Sequence, residues 1–155
     1  MLYYLIYTII TIHLACVLAT LYMHRYVIHR QYYMNPKLEM VMKVLYWLLF
    51  DVVPKEFVVQ HRKHHEYSDT WNDPHTPRFG YWKLLGCCLV PSFFRSYQIN
   101  VSNEDYNRYG VFESDNTFMD RHPKLGVLIF LFITVALFGW VGIIIWFIHL
   151  FAISF

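Results

Sequence analysis

The segment "VVQHRKHHEYSDTWNDPHTP", residues 58 to 77, holds His61, His64, His65 and His75, four of the nine histidines in a 155-residue chain. Helical positions i, i+3 and i+4 share a face, so a helix through this segment would present His61, His64 and His65 together. Three neutral imidazoles on one face can converge on one or two ions, and imidazole is a ligand for iron, copper, zinc and nickel. Arg62 and Lys63 interrupt the run. A basic interfacial helix whose histidines merely face water would read the same way.

A second group lies upstream. "HRYVIHR" sets His24 and His29 five residues apart, which on an ideal helix leaves the rings about 140° apart. They would face one ion only if the helix end unwinds; otherwise they would serve two neighbouring ions. The remaining histidines are more isolated. His13 is three turns above His24 on nearly the same face, with Thr20 between them. Intramembrane histidines are functional candidates, although a helix–helix hydrogen bond suits His13 better than a metal. His149 falls in an apolar run where packing is its expected role, and His122 reads as a surface residue.

The elements that must position these rings are membrane elements. The chain is 57% hydrophobic, 20% aromatic and only 15% charged, well below the quarter or so of charged residues usual in soluble domains. Residues 1 to 23 and 125 to 155 contain no Asp, Glu, Lys or Arg, and a spanning helix needs about 20 such residues. A signal peptide fits the first run poorly, since it has no basic leader and is too long. All thirteen Lys and Arg lie from Arg25 to Lys124, which places the middle of the chain in the cytoplasm. The net charge of +2 is spread among eleven acidic residues, a pattern of a solvated face rather than of nucleic-acid binding. Cys16, Cys87 and Cys88 have neither metal-type nor disulfide-framework spacing. Asn100-Val101-Ser102 matches a glycosylation acceptor, inert on a cytoplasmic loop.

Residues 1 to 23 read as one crossing that delivers His24 to the cytoplasmic surface. Residues 38 to 53, "LEMVMKVLYWLLFDVV", read as an amphipathic helix in the interface. They number 16, contain Lys43 and are bounded by Glu39 and Asp51. A single crossing here would also put the two histidine groups on opposite sides. A helix follows Pro54 over residues 55 to 66, then a loop over 67 to 79. A second interfacial helix broken by Pro91 spans 79 to 98, and polar turns fill 99 to 123. The last 31 residues form either one long tilted helix or two segments turning near "FGWVG", and the sequence stops inside apolar residues in the manner of a truncation. The expectation is an all-α integral membrane protein, multi-pass or incomplete multi-pass, forming one partial domain. Its transmembrane helices and interfacial amphipathic helices carry a cytoplasmic histidine-rich cap over residues 24 to 124.

The pattern H-x4-H at a helix end, followed about thirty residues later by H-x2-H-H, resembles the membrane fatty acyl desaturase family. "KEFVVQHRKHH" looks like the acidic-aromatic lead into that family's second histidine box, and "NDPHTP" like the Asp-Pro-His element after it. The resemblance covers most of residues 12 to 155 and leans toward members acting at the ninth carbon of saturated acyl chains. It implies a non-haem di-iron centre held by His24, His29, His61, His64 and His65, which uses O2 to remove two hydrogens from a methylene pair. Glu56 and Asp73 are candidates to accept the distal N–H of ligand imidazoles, and His75 for a supporting or substrate contact. The implied partners are a fatty acyl substrate, O2, membrane lipid and a separate electron donor such as cytochrome b5, ferredoxin or rubredoxin. No flavin, haem or iron–sulfur motif is present to supply electrons internally. Family members carry a further histidine box toward the C-terminus, and nothing after His75 has that form. Residues 1 to 155 alone are therefore expected to hold iron incompletely and to make no unsaturated product. Two other readings are a related di-iron hydroxylase and a non-catalytic metal- or haem-binding membrane module with His13 and His149 as axial ligands.

Overall fold

The computed structural model describes residues 1–73, 102–109 and 117–153. Every regular element among them is helical. The chain forms two compact units, Met1–Asp51 together with His122–Phe155, and Val52–Arg121.

The first unit begins with α1, Leu2–Val17, which continues without a break into a π-helical segment, Leu18–Ile28. The apolar run therefore stays helical beyond residue 23 and carries His24 within its last turns. Together these 27 residues form the one helix among the described residues that is long and apolar enough to cross a membrane. At its end His29 caps the helix and Arg30 takes a left-handed conformation, φ 50°. The Arg30 N–H reaches the Tyr26 carbonyl at 3.1 Å and the Gln31 N–H reaches that of Arg25 at 3.0 Å. This is the usual left-handed helix stop, with each bond shifted one residue outward to match the wider π turn.

Helix α2, Pro36–Leu49, starts where Asn35 accepts the Lys37 N–H at 2.9 Å and Pro36 supplies a preset first-turn φ. At 14 residues it is about 21 Å long, too short for a bilayer core of roughly 30 Å. Its buried Tyr46 and Leu49 face the core. The final apolar run does not form one helix. It breaks into α6, Pro123–Phe138, and α7, Val141–Ile153, numbered after the short α4 and α5 of the second unit. Gly139 makes the break, with φ 60° and ψ −141°, a conformation open essentially to glycine alone. The two helices fold back antiparallel: the Trp146 indole donates to the Val127 carbonyl at 2.9 Å. A Cβ on Gly142 would stand 2.2 Å from the Thr134 carbonyl oxygen, and one on Gly126 only 2.0 Å from that of Trp47. Close backbone approach through small residues is how membrane helices associate. Here it joins α6 to α7 and α6 to α2. Ala15, Leu18, Met23, Val127, Phe130 and Ile145 fill the core between α1, α2, α6 and α7.

The second unit holds α3, Pro54–Tyr67, α4, Asn103–Arg108, and the short α5, Phe118–Arg121. The sequence reading assigned polar turns to 99–123; among the described residues α4 and α5 replace them. A capping box starts α4: Ser102 Oγ accepts the Asp105 N–H at 3.2 Å, and Asp105 accepts the Ser102 N–H at 2.8 Å. The Ser-x-x-Asp spacing is a variant of the usual Ser-x-x-Glu signal. The proposed interfacial helix over 79–98, Cys87, Cys88 and the Asn100 acceptor lie outside the described residues.

Candidate metal site

The π-helical segment brings His24 over His29. Its hydrogen bonds close five residues on instead of four, as in the 3.1 Å bond from the His29 N–H to the His24 carbonyl. Residues i and i+5 thus stack one turn apart, rather than 140° apart as on an α-helix. The two Nε2 atoms lie 3.2 Å apart and the ring centroids 4.5 Å apart. Two imidazole nitrogens on one ion, each at about 2.0–2.1 Å, stand roughly 3 Å from one another. A single tautomer, with the proton on Nδ1 of both rings, would turn this contact into two lone pairs aimed at one point.

Helix α3 achieves the same contact with ordinary α geometry. His61 and His65 are one turn apart, their Nε2 atoms separated by 2.9 Å. His64 joins them on that face, its ring centroid 6.2 Å from His61 and 5.8 Å from His65. Phe57, one turn before His61, stacks on it at 5.9 Å. After α3, Asp69 adopts a left-handed conformation, φ 61°, which Asp tolerates better than most residues. The chain then doubles back so that Asp73 meets the helix. Asp73 is fully buried. Its Oδ1 lies 2.8 Å from His64 Nδ1 and its Oδ2 accepts the Asp69 N–H at 3.0 Å. With His64 Nδ1 donating to the carboxylate, the lone pair resides on Nε2, the tautomer that metal coordination needs.

Arg62 and Lys63 answer the question of the basic helix. They occupy the opposite side of α3 from the histidines and grip the segment around α4. The Arg62 guanidinium donates to the Tyr109 carbonyl at 2.5 Å, and Lys63 Nζ to Asp105 Oδ2 at 3.0 Å. One turn on, Glu66 accepts from Arg108 and, at 2.6 Å, from the Tyr109 hydroxyl. Burial by itself would raise the Asp105 carboxyl, but the Ser102 N–H and the Lys63 ammonium outweigh it and hold it below its ordinary value. Burial and the Glu66 carboxylate push the Tyr109 phenol up. The positive charges of "HRKHHEY" are thus tied to tertiary structure, while its imidazoles face elsewhere.

Glu56 is half-buried in the first turn of α3, a position favourable to a carboxylate. His75 lies outside the described residues. His13 is exposed on α1 and His122 is exposed before α6. His149 is fully buried on α7, donates from Nε2 to the Leu49 carbonyl at 3.2 Å and meets Phe130 edge-on at 4.9 Å. Haem ligation would need that Nε2, so the geometry gives the haem reading no support. Two features escaped the sequence reading. The π-helix left no signal in composition. The clasp on α4 did leave one, in the Ser102-x-x-Asp105 spacing.

The fatty acid desaturase family model matches residues 1–155, the whole chain. Among curated proteins, the chain is 34% identical over 59 residues to Delta-9 acyl-lipid desaturase 2 of Arabidopsis thaliana, covering 38% of this chain and 19% of that protein. It is 38% identical over 63 residues to a probable chloroplastic lipid desaturase of the same plant, covering 41% of this chain and 18% of that one. It is 36% identical over 63 residues to an acyl-CoA C20 Delta5-desaturase of Anemone leveillei, covering 41% of this chain and 20% of that one. The matched segments span about a fifth of the length of these relatives. No solved structure matches the chain. With its full length matched by the family model, the chain belongs to the fatty acid desaturase family.

Proposed function

We propose that the chain carries iron-binding residues of a membrane acyl desaturase, with a fatty acyl chain as substrate. The observation that carries this reading is the repeated imidazole pair: two Nε2–Nε2 contacts, at 3.2 and 2.9 Å, each with the spacing of a chelating pair. The donor set fits iron. It is all imidazole nitrogen, and one ring already has its tautomer fixed by a buried carboxylate. His24, His29, His61, His64 and His65 would hold the metal, and Asp73 would orient His64. Iron would supply the O2-dependent removal of two hydrogens that no protein side chain can perform. The protein's part is to aim the imidazoles. Asp73 does this for His64 by accepting a hydrogen bond from its Nδ1–H, and the π turn does it for His24 and His29 by stacking them. The long apolar helix Leu2–Ile28 is consistent with membrane attachment, and cytoplasmic histidines with a multi-pass path remain the expected topology. His75 is proposed to support the site or contact substrate, and electrons would come from a separate donor protein.

Iron content of the purified chain and membrane fatty acids are read on the same cells, in a host without its own desaturase but with an electron donor. Iron that falls in His24→Ala and in His61→Ala supports both pairs as ligands. Iron unaffected by either substitution contradicts it. A monounsaturated product that vanishes on His64→Ala would assign the acyl chain as substrate.

A further inference from the structure

Tyr32 lies beyond the end of the π-helical segment, yet it reaches back to the segment's middle. Its hydroxyl donates to the Leu21 carbonyl at 2.6 Å. Leu21 precedes His24 by one short turn. A second donor on a helix carbonyl draws that carbonyl outward and lengthens its ladder bond, which is one of the known ways a side chain opens a helix. Rings hold Tyr32 in place for this. Its centroid is 5.8 Å from that of Tyr26, Tyr26 is 5.9 Å from Tyr22, and Tyr22 is 6.1 Å from Tyr46 on α2. Tyr22 and Tyr46 are buried in the core. The row therefore runs from packed core to the exposed end of the helix, and Tyr32 closes it with a bond to the backbone.

We propose that Tyr32 is a positioning residue: its hydroxyl keeps Leu18–Ile28 in π-helical register and so sets the approach of His24 to His29. The consequence for metal binding rests on the metal reading above; the register itself does not. Without the Leu21 bond the segment relaxes toward α-helical closure at four residues. His24 and His29 then rotate apart toward the 140° that five residues give on an α-helix.

Tyr32→Phe removes the hydroxyl and keeps the ring. The first readout requires no metal. In the full chain carrying His24→Cys and His29→Cys, diamide oxidation forms a disulfide at a rate that rises with how often the two Cβ atoms approach to about 3.5–4.5 Å, and peptide mass mapping quantifies it. Tyr32→Phe is expected to slow that disulfide about tenfold, whereas Tyr33→Phe at the exposed neighbouring position should not. The second readout is Co(II) titration of the otherwise native chain. Tyr32→Phe is expected to weaken Co(II) binding about tenfold, the lower end for outer partners of metal ligands, and to shift its visible absorption. An unchanged disulfide rate, or an equal fall with Tyr33→Phe, overturns the proposal. A slowed disulfide with a Co(II) spectrum indifferent to both Tyr32→Phe and His24→Ala upholds the register role and overturns the metal reading instead.

Discussion

The two histidine pairs reach nearly the same contact on different backbones. In α3, His61 and His65 are four apart on an α-helix, and their Nε2 atoms meet at 2.9 Å. In the first unit, His24 and His29 are five apart, and a π-helix brings them to 3.2 Å. Side-chain spacing is therefore meaningful only together with the helix type beneath it. The supports differ as well. Around α3 they are charged: the buried Asp73 on the histidine side, and the part-buried Lys63–Asp105 and exposed Glu66–Arg108 pairs behind. Around the π segment they are aromatic and backbone groups: the tyrosine row and the hydroxyl on the Leu21 carbonyl.

The largest effect should come from giving α3 the other pair's spacing. One alanine inserted between His64 and His65 separates His61 from His65 by five residues and leaves His64 three residues after His61. On an α-helix that turns the rings about 140° apart, with no π turn to recover them. Metal affinity, measured by Co(II) titration, should fall roughly 100-fold, the scale associated with losing properly oriented ligands. Retained affinity would mean that the local helix type adapts to the histidines rather than directing them.

Asp73→Ala should follow. It removes the acceptor of the His64 Nδ1–H and the Asp69 N–H, both within reach of water, at a cost of about 0.5–1.5 kcal/mol each, the net worth of a hydrogen bond. Thermal unfolding should shift down accordingly, and metal affinity should drop about tenfold or more. A variant with unchanged melting and unchanged affinity would remove Asp73 from the site.

The clasp behind α3 should make that region sensitive to acid. The folded Asp105 carboxyl titrates below its ordinary 3.8. A lowered folded-state value means the stabilisation is fully present above 3.8 and disappears as pH falls through the folded value. Wild type and Asp105→Asn should therefore differ in melting temperature at pH 6 by the equivalent of roughly 1 kcal/mol. They should converge once the pH falls below the folded value. A difference that persists at low pH would assign the effect to the helix cap rather than to the charge.

The smallest effect concerns the left-handed residues that end both histidine-bearing helices. Arg30→Gly and Asp69→Gly relieve a strained φ, at the expense of a looser unfolded chain. Each should change stability by no more than about 1 kcal/mol, with Arg30→Gly the more favourable because Asp tolerates this conformation and Arg does not. A large loss at either position would show that its side chain carries a contact beyond the turn.

Much of this was legible in the residue order. The shared face of His61, His64 and His65 follows from 3.6-residue periodicity. The start of α3 at Pro54 follows from proline's fit to the first turn. The break in the last apolar run was one of two open readings near "FGWVG", and Gly139 decides it through a backbone conformation that other residues avoid. The His24–His29 contact was not legible. Periodicity assumes four-residue closure, and nothing in "LATLYMHRYVI" marks a π-helix; the cause on display, Tyr32, acts from outside the segment. The sorting of Arg62 and Lys63 away from the imidazoles depends on residues about 40 positions downstream, beyond the reach of a local pattern.

The central proposal is that each imidazole pair is a chelating pair for iron. The most direct measurement is iron K-edge X-ray absorption on the purified, iron-loaded chain, compared with His24→Ala and His61→Ala. Chelation by the pairs gives a nitrogen shell at about 2.0–2.2 Å with the outer scattering of imidazole rings, and each substitution alone reduces that scattering and the bound iron. Iron with an oxygen-only shell, or a histidine shell that survives the loss of either pair intact, would contradict it.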